Sequence, residues 1–208
     1  MLFLTTGWCA NIKDLYILFA NRVIKGSQKK GSMLDIGTGT GQIIIELAKK
    51  DFFREIMAMD SSSYMLDMSR KNAKNIFAKR KITFCKADFL QYNFGEKKFD
   101  TICCHNTLHH FVDPQKAIEK MISILRPGGA IFIQDIFRPS EWIIPVYIFV
   151  FAGVKDIRIR KQYRESLMAS LSVNEWKILF KKIKLEGSCI KYHFPSHISI
   201  SKKDDCYR

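Results

Sequence analysis

The six cysteines of this 208-residue chain form no Cys-x-x-Cys pair and no Cys/His spacing that could assemble a tetrahedral zinc site. A chain of this length buries roughly 70% of its unfolded surface, so it needs neither disulfides nor a structural metal to hold a core. Cys103 and Cys104 stand side by side in an apolar run, and reduced, mostly buried thiols are expected. The opening MLFLTTGWCANIKD has no basic n-region and only a very short apolar stretch, which argues against a secretory signal and for a cytoplasmic protein. The longest apolar stretch, residues 142–154, is too short to span a bilayer and contains Pro145, so a buried or lid helix is expected there and no membrane span. Internal repeats and low-complexity linkers are missing. With 47% apolar and 26% charged residues, disordered, collagen-like and coiled-coil classes are excluded, and one compact domain is expected.

Acidic residues are few. Lysine and arginine number 34 against 20 aspartates and glutamates, a net charge of +14 that suits a polyanionic partner or acidic substrate, or reflects lysine-rich coding alone. The basic residues gather around positions 25–30, 70–81, 158–164 and 177–184, and the second and fourth groups follow helical spacing as solvated helix faces. Neither an RNA-recognition module nor an exposed aromatic platform accompanies them, so nucleic acid is kept only as an alternative partner.

Apolar runs of strand length alternate with helical patterns, which specifies an α/β protein with a mostly parallel sheet covered on both faces. Strands are predicted at Ser32–Ile36, Glu55–Asp60, 81–87, 99–104 and 130–136, with helices at 42–50, 62–79 and 113–125. Asp113-Pro114 opens the last of these with a side-chain cap and a first-turn proline, and Pro127-Gly128-Gly129 is expected to stop it. A helix precedes the first strand over residues 11–25. Further helices are predicted at 141–154 and 173–182, and the chain closes with strands at 185–192 and 196–202 joined as an antiparallel hairpin through Pro195.

Open α/β sheets bind ligands at the carboxyl ends of their strands, where consecutive crossovers diverge. The unusual residues fall there. Gly37-Thr38-Gly39-Thr40-Gly41 sits between a strand and a helix, allowing a tight turn and close backbone approach to a ligand. Its spacing is not the dinucleotide G-x-G-x-x-G, since Gln42 takes the third glycine's place, and no Gly-Lys-Ser/Thr follows to make a phosphate loop. Asp35, two residues before the first glycine, would repel a pyrophosphate but suits a ligand bearing a sulfonium and an ammonium, which favours S-adenosylmethionine. Asp60 ends the second strand, where a carboxylate can accept from both hydroxyls of a ribose. Asp88 ends the third, with Phe89 beside it to cover an adenine ring.

From Ser32 to Ile136 the sequence resembles the class I S-adenosylmethionine-dependent methyltransferases through the ordered motifs LDIGTGTG, MAMDSSSYML, KADF, FDTICCHNTLHHF and LRPGGAIFIQD. The last two look like the subset acting on small molecules. The resemblance implies a Rossmann-like, doubly wound, mostly parallel seven-stranded sheet with an antiparallel last strand. A single domain spanning 1–208 is expected, in which residues 1–30 form an N-terminal helical segment, 31–136 the cofactor-binding core, 137–184 the lid and substrate segment, and 185–208 the terminal hairpin. By position, Asp35, Gly37, Gly39 and Gly41 would wrap the methionine part of S-adenosylmethionine, Asp60 the ribose, and Asp88 and Phe89 the adenine, with Thr38 and Ser61 as further cofactor-binding positions. Asn106 would lie beside the sulfonium. The Asn-Pro-Pro-Tyr type of sequence found in methyltransferases that act on nucleobase amino groups is absent, and only about thirty residues precede the first strand. The acceptor pocket would then be open, or completed by another subunit.

Methyl transfer from a sulfonium is an in-line displacement in which alignment can supply much of the acceleration. If the acceptor must lose a proton, His109 or His110 is the candidate base, weighed against a hydrogen-bonded structural imidazole. No metal is expected, because His105, His109, His110 and Asp113 form no established helical ligand pair. Asp135, at the end of the fifth strand, and Trp142, Tyr147 and Tyr163, in the lid segment, are candidate substrate-pocket residues. The expected activity is methylation of a small-molecule O, N or C acceptor. The alternatives are an RNA or protein methyltransferase, or a non-catalytic S-adenosylmethionine-binding protein.

Overall fold

The computed structural model describes residues 12–74, 81–151, 157–183, 188–193 and 197–202. Helix α1 (Ile12–Gly26) precedes a sheet of seven strands: β1 (Ser32–Ile36), β2 (Glu55–Asp60), β3 (Lys81–Lys86), β4 (Phe99–His105), β5 (Leu125–Ile136), β6 (Ser188–His193) and β7 (His197–Lys202). Their spatial order is β3-β2-β1-β4-β5-β7-β6. Strands β1 to β5 pair in parallel, and β7 runs antiparallel to both β5 and β6. The expected α/β sheet is therefore present. The hairpin inserts its second strand beside β5 and leaves β6 at the edge.

Between the strands lie α2 (Gln42–Lys49), α3 (Ser63–Asn72), α4 (Pro114–Ser123), α5 (Ile144–Phe151), α6 (Ile157–Ala169) and α7 (Val173–Ile183). Side-chain caps fix two helix starts: Ser62 Oγ accepts from the Met65 N–H, and Asp113 Oδ1 from the Lys116 N–H. Strand alternation splits the interior into two cores. Met33, Ile56, Ala58, Cys103 and Phe132 face α1 and α2, meeting Phe19, Val23, Ile44 and Leu47. Leu34, Met57, Ile102, Cys104 and Ile133 face α4 and α7, meeting Ile118, Met121, Trp176 and Leu179. The adjacent Cys103 and Cys104 thus enter opposite cores, both as free thiols whose pKa burial pushes up.

Several boundaries depart from the sequence reading. Helix α3 ends at Asn72, and the predicted continuation beyond residue 74 lies outside the described residues. The helix expected over 113–125 ends at Ser123, and Arg126-Pro127-Gly128-Gly129 forms the irregular opening of β5. There the register against β4 jumps from Phe99↔Leu125 to Thr101↔Ala130, which lets the extra residues bulge. Helix α6 falls where no helix was expected: its dense charge hides the side that packs through Tyr163, Leu167 and Met168. No helix among the described residues is long and apolar enough to cross a membrane.

Candidate active site

β1 continues to β2 on one side and pairs with β4 on the other, so the crossovers diverge between β1 and β4 and open a crevice at the strand carboxyl ends. Two cavities lie there. The larger, about 560 Å³, is lined by residues that include Gly39, Asp60, Ser61, Asp88, Phe89, Asn106 and His110. The smaller, about 240 Å³, is lined by Tyr16, Asp35, Thr38, Gln42 and His105 among others. Gly37, Gly39, Met65, Asn106 and Thr107 line both, joining them at the glycine loop.

The three loop glycines all have positive φ, at +67°, +51° and +84°, but for different reasons. A Cβ on Gly37 would stand 2.1 Å from the Thr107 side chain, and one on Gly41 would stand 2.2 Å from Ser69 Oγ. At these two positions the obstacle is the protein itself, not a ligand as the sequence suggested. Only at Gly39 would a Cβ meet nothing within 4 Å, leaving its backbone open to the cavity. Thr38 fastens the loop to β2 by donating its N–H to the Met59 carbonyl at 3.0 Å.

Asp35 sits at the base of the smaller cavity, 2% exposed, with Oδ2 fully buried and without a hydrogen-bond partner. Burial pushes its pKa up to about 7; the nearby Thr38 hydroxyl opposes the shift and the Asp60 charge adds to it. A buried, partnerless carboxylate oxygen beside an open glycine backbone fits a ligand that brings its own ammonium. Asp60 is already engaged, since Oδ2 accepts from the Gly39 N–H at 2.8 Å and Oδ1 from the Ser62 N–H at 2.9 Å. It therefore pins the loop, and each oxygen keeps a lone pair for a ligand hydroxyl. Ser61 is exposed on the larger cavity.

Asp88 is exposed and shapes its own turn, with Oδ1 accepting from the Leu90 N–H at 2.8 Å. Phe89 lines the larger cavity but is only 3% exposed, packed edge-on to Phe94 and Phe111, so most of its ring belongs to the core. This turn is tied to α4 by Lys120, whose Nζ donates to the Leu90 and Tyr92 carbonyls at 2.8 and 2.7 Å. Asn106 is a non-glycine residue at φ +49°, a conformation that asparagine tolerates, and its N–H donates to the Gln134 carbonyl at 2.7 Å.

The two candidate bases separate. His109 Nδ1 lies 2.6 Å from Asp135 Oδ1, its backbone N–H donates to Asp135 Oδ2 at 3.1 Å, and its side chain is 5% exposed. His110 is exposed and lines the larger cavity, its ring centroid 4.0 Å from that of His109. Burial lowers the His110 pKa, the neighbouring His109 adds to this, and Asp135 and Asp60 oppose it. The geometry thus makes His110 the cavity-facing imidazole and His109 its support.

Asp135 is not the pocket residue the sequence reading made it. Consecutive strand residues face opposite sides, so Gln134 turns toward α1 while Asp135 turns beneath His109, fully buried. Trp142 is 80% exposed, and Tyr163 packs beside Ile136, Ile144, Ile148 and Leu167; neither lines the two cavities. Tyr147 falls on α5, and its side chain lies outside the described part.

Tyr16 and His105 escaped the sequence reading as cavity residues. Their rings meet edge-on at 5.6 Å, and His105 is also held by Gln134 Nε2 at 3.3 Å. Burial drives the His105 pKa down to about 4, reinforced by His197 and Arg22 and opposed by Asp135. An aromatic on the helix ahead of β1 was the one available signal.

The family model of a methyltransferase domain matches residues 27–182. The chain belongs to the class I S-adenosylmethionine-dependent methyltransferase family. Among the relatives of this chain, the uncharacterized methyltransferase YcgJ of Bacillus subtilis is 24% identical over 164 residues, covering 78% of this chain and 60% of that protein. A demethylmenaquinone methyltransferase of Deinococcus radiodurans is 31% identical over 110 residues, covering 52% and 44%. The chain thus spans 60% or less of the length of these curated relatives. The plantazolicin methyltransferase BpumL, solved with SAH, superposes with a TM-score of 0.69 at 18% identity, covering 93% of this chain and 83% of that one.

Proposed function

We propose that this chain transfers a methyl group from S-adenosylmethionine to a small-molecule acceptor in the joined cavities. The buried Asp35 oxygen with no partner carries the reading, because nothing in the protein satisfies it and an ammonium would. Asp35 and the open Gly39 backbone hold the methionine part, Asp60 and Ser61 the ribose, and the Asp88–Phe89 turn the adenine. Asn106, which lines both cavities, lies beside the sulfonium. The cofactor supplies an electrophilic methyl on a cationic sulfur.

The protein's own part is alignment and proton handling. Asp135 accepts from the His109 N–H and holds its Nδ1, which fixes the ring against which His110 rests. His110, kept neutral near pH 7 by its lowered pKa, takes the proton from an acceptor hydroxyl, phenol or acidic carbon on the cavity side. We further infer a single methyltransferase domain working in the cytoplasm. Support for a small aromatic acceptor comes from the quinone methyltransferases among the relatives.

Titration calorimetry with SAH, followed by turnover of a panel of phenols and quinols, tests this reading. SAH binding with methylated product is expected, and absence of SAH binding at millimolar ligand refutes it. A polyanionic acceptor is the second reading, carried by the +14 charge, and salt-sensitive RNA binding would be its sign.

A further inference from the structure

The layer that follows β5 has two unlike faces. On α5, Ile144 and Ile148 are buried against Leu167 and Tyr163 of α6. On the other face Trp142 is 80% exposed and Val146, four residues on, 58% exposed, with exposed Pro145 between them. Residues so spaced on a helical run share one side. At the start of α6, which packs against α5, Ile157 is 79% exposed, and Lys161 and Arg164 on the same helix are exposed cations. Helix α6 also packs against the Leu108–His110 turn, whose His110 lines the larger cavity.

We propose that this face, Trp142, Val146 and Ile157 flanked by Lys161 and Arg164, docks the protein on anionic lipid and sets the cavity next to the bilayer surface. Indole and aliphatic side chains beside cations are the combination that lies in a headgroup boundary, the rings and methyls entering the acyl edge while the cations meet phosphates. The chain's +14 charge adds long-range attraction to such a surface. Nucleic acid fits less well, since Val146 and Ile157 offer a phosphate backbone nothing. This rests on the proposed methyl transfer: docking there would favour a lipid-soluble acceptor that reaches His110 past the helix packed on its turn.

Flotation of the full chain with vesicles tests the docking. Vesicles of phosphatidylcholine alone and of phosphatidylcholine with phosphatidylglycerol are compared at low and high salt, with SAH calorimetry run in parallel. The protein is expected to float only with the anionic vesicles and to be released by salt. Val146→Asp and Ile157→Asp, both at exposed positions, should each reduce flotation roughly tenfold, and a Lys161→Glu/Arg164→Glu variant should do likewise, all with SAH affinity unchanged. Three results overturn the docking: no flotation with anionic vesicles by protein that binds SAH; variants that float like the wild type, meaning charge adsorption alone; or a concentration-dependent dimer abolished by the same substitutions, meaning that a second copy covers the face. Flotation without SAH binding supports the docking and refutes the methyl-transfer reading instead.

Discussion

Replacing Asp35 by asparagine should change stability and ligand binding in opposite directions. In the folded protein the Asp35 carboxyl is pushed from its ordinary 3.8 to about 7, chiefly by burial. An acid with a raised folded pKa binds more protons folded than unfolded, so stability falls as pH rises from the unfolded value through the folded one. A shift of this size corresponds to about 4 kcal/mol lost by the ligand-free protein above neutrality, at about 1.36 kcal/mol per pH unit. Asp35→Asn removes that ionisation. Urea unfolding at about pH 5 and about pH 8 should show a wild-type loss that exceeds the variant's by roughly 3 kcal/mol, since every other group titrates alike in both. Ligand binding should weaken by about 1.5–3 kcal/mol, because an uncharged amide replaces a charged acceptor for the ammonium. Binding to the wild type below about pH 7 should also release close to one proton, read as a dependence of the calorimetric heat on the buffer's ionisation enthalpy. Equal pH slopes in the two proteins would refute the assignment of a buried carboxylate whose Oδ2 has no partner, and equal affinities would refute its role in binding.

Other substitutions separate the roles of neighbouring residues. Gly41→Ala, which drives a Cβ into Ser69 at φ +84°, should cost about 2–4 kcal/mol in urea unfolding, whereas Gly39→Ala should cost only about 1 kcal/mol and act mainly on ligand affinity; equal losses would contradict the geometry. Lys120→Met should weaken ligand binding by about 1 kcal/mol while leaving kcat at saturation unchanged, because it frees the Leu90 and Tyr92 carbonyls of the adenine turn; a loss in kcat alone would move Lys120 to another role. With a proton-losing acceptor, kcat of the wild type should rise with pH with its midpoint below the ordinary imidazole value of about 6.5, following the lowered His110 pKa, and His110→Ala should remove that profile with a loss of about 10²–10⁴-fold. Asp135→Asn should distort the same profile through His109; an unaltered profile would reduce Asp135 to a structural residue.

Much of this was legible one residue at a time. Ser32–Ile36 and Glu55–Asp60 are short, mostly apolar runs ending in an acid or a glycine turn, and both strands lie where the pattern put them. Asp113-Pro114 marked a helix start by local chemistry alone. Where a feature depended on a partner far along the chain, the reading failed. The opening of β5 at Leu125 is decided by its pairing with Phe99, which overrides the turn character of Pro127-Gly128-Gly129. Helix α6 shows too narrow an apolar stripe for its period to stand out among arginines and lysines.

The candidate site divides along the same line. The sequence alone determined that acids and glycines stand at successive strand ends, because strand–turn–helix order is written in short-range patterning, and the order of those turns then follows. Only the tertiary structure decided what each group faces. It gave Gly37 and Gly41 to Thr107 and Ser69, turned Asp135 beneath His109, left His110 on the cavity and brought Tyr16 against His105. Asp135 and His109 are 26 residues apart and Gly37 and Thr107 are 70 apart, and separations of that length are fixed by sheet register and packing, which no local pattern encodes.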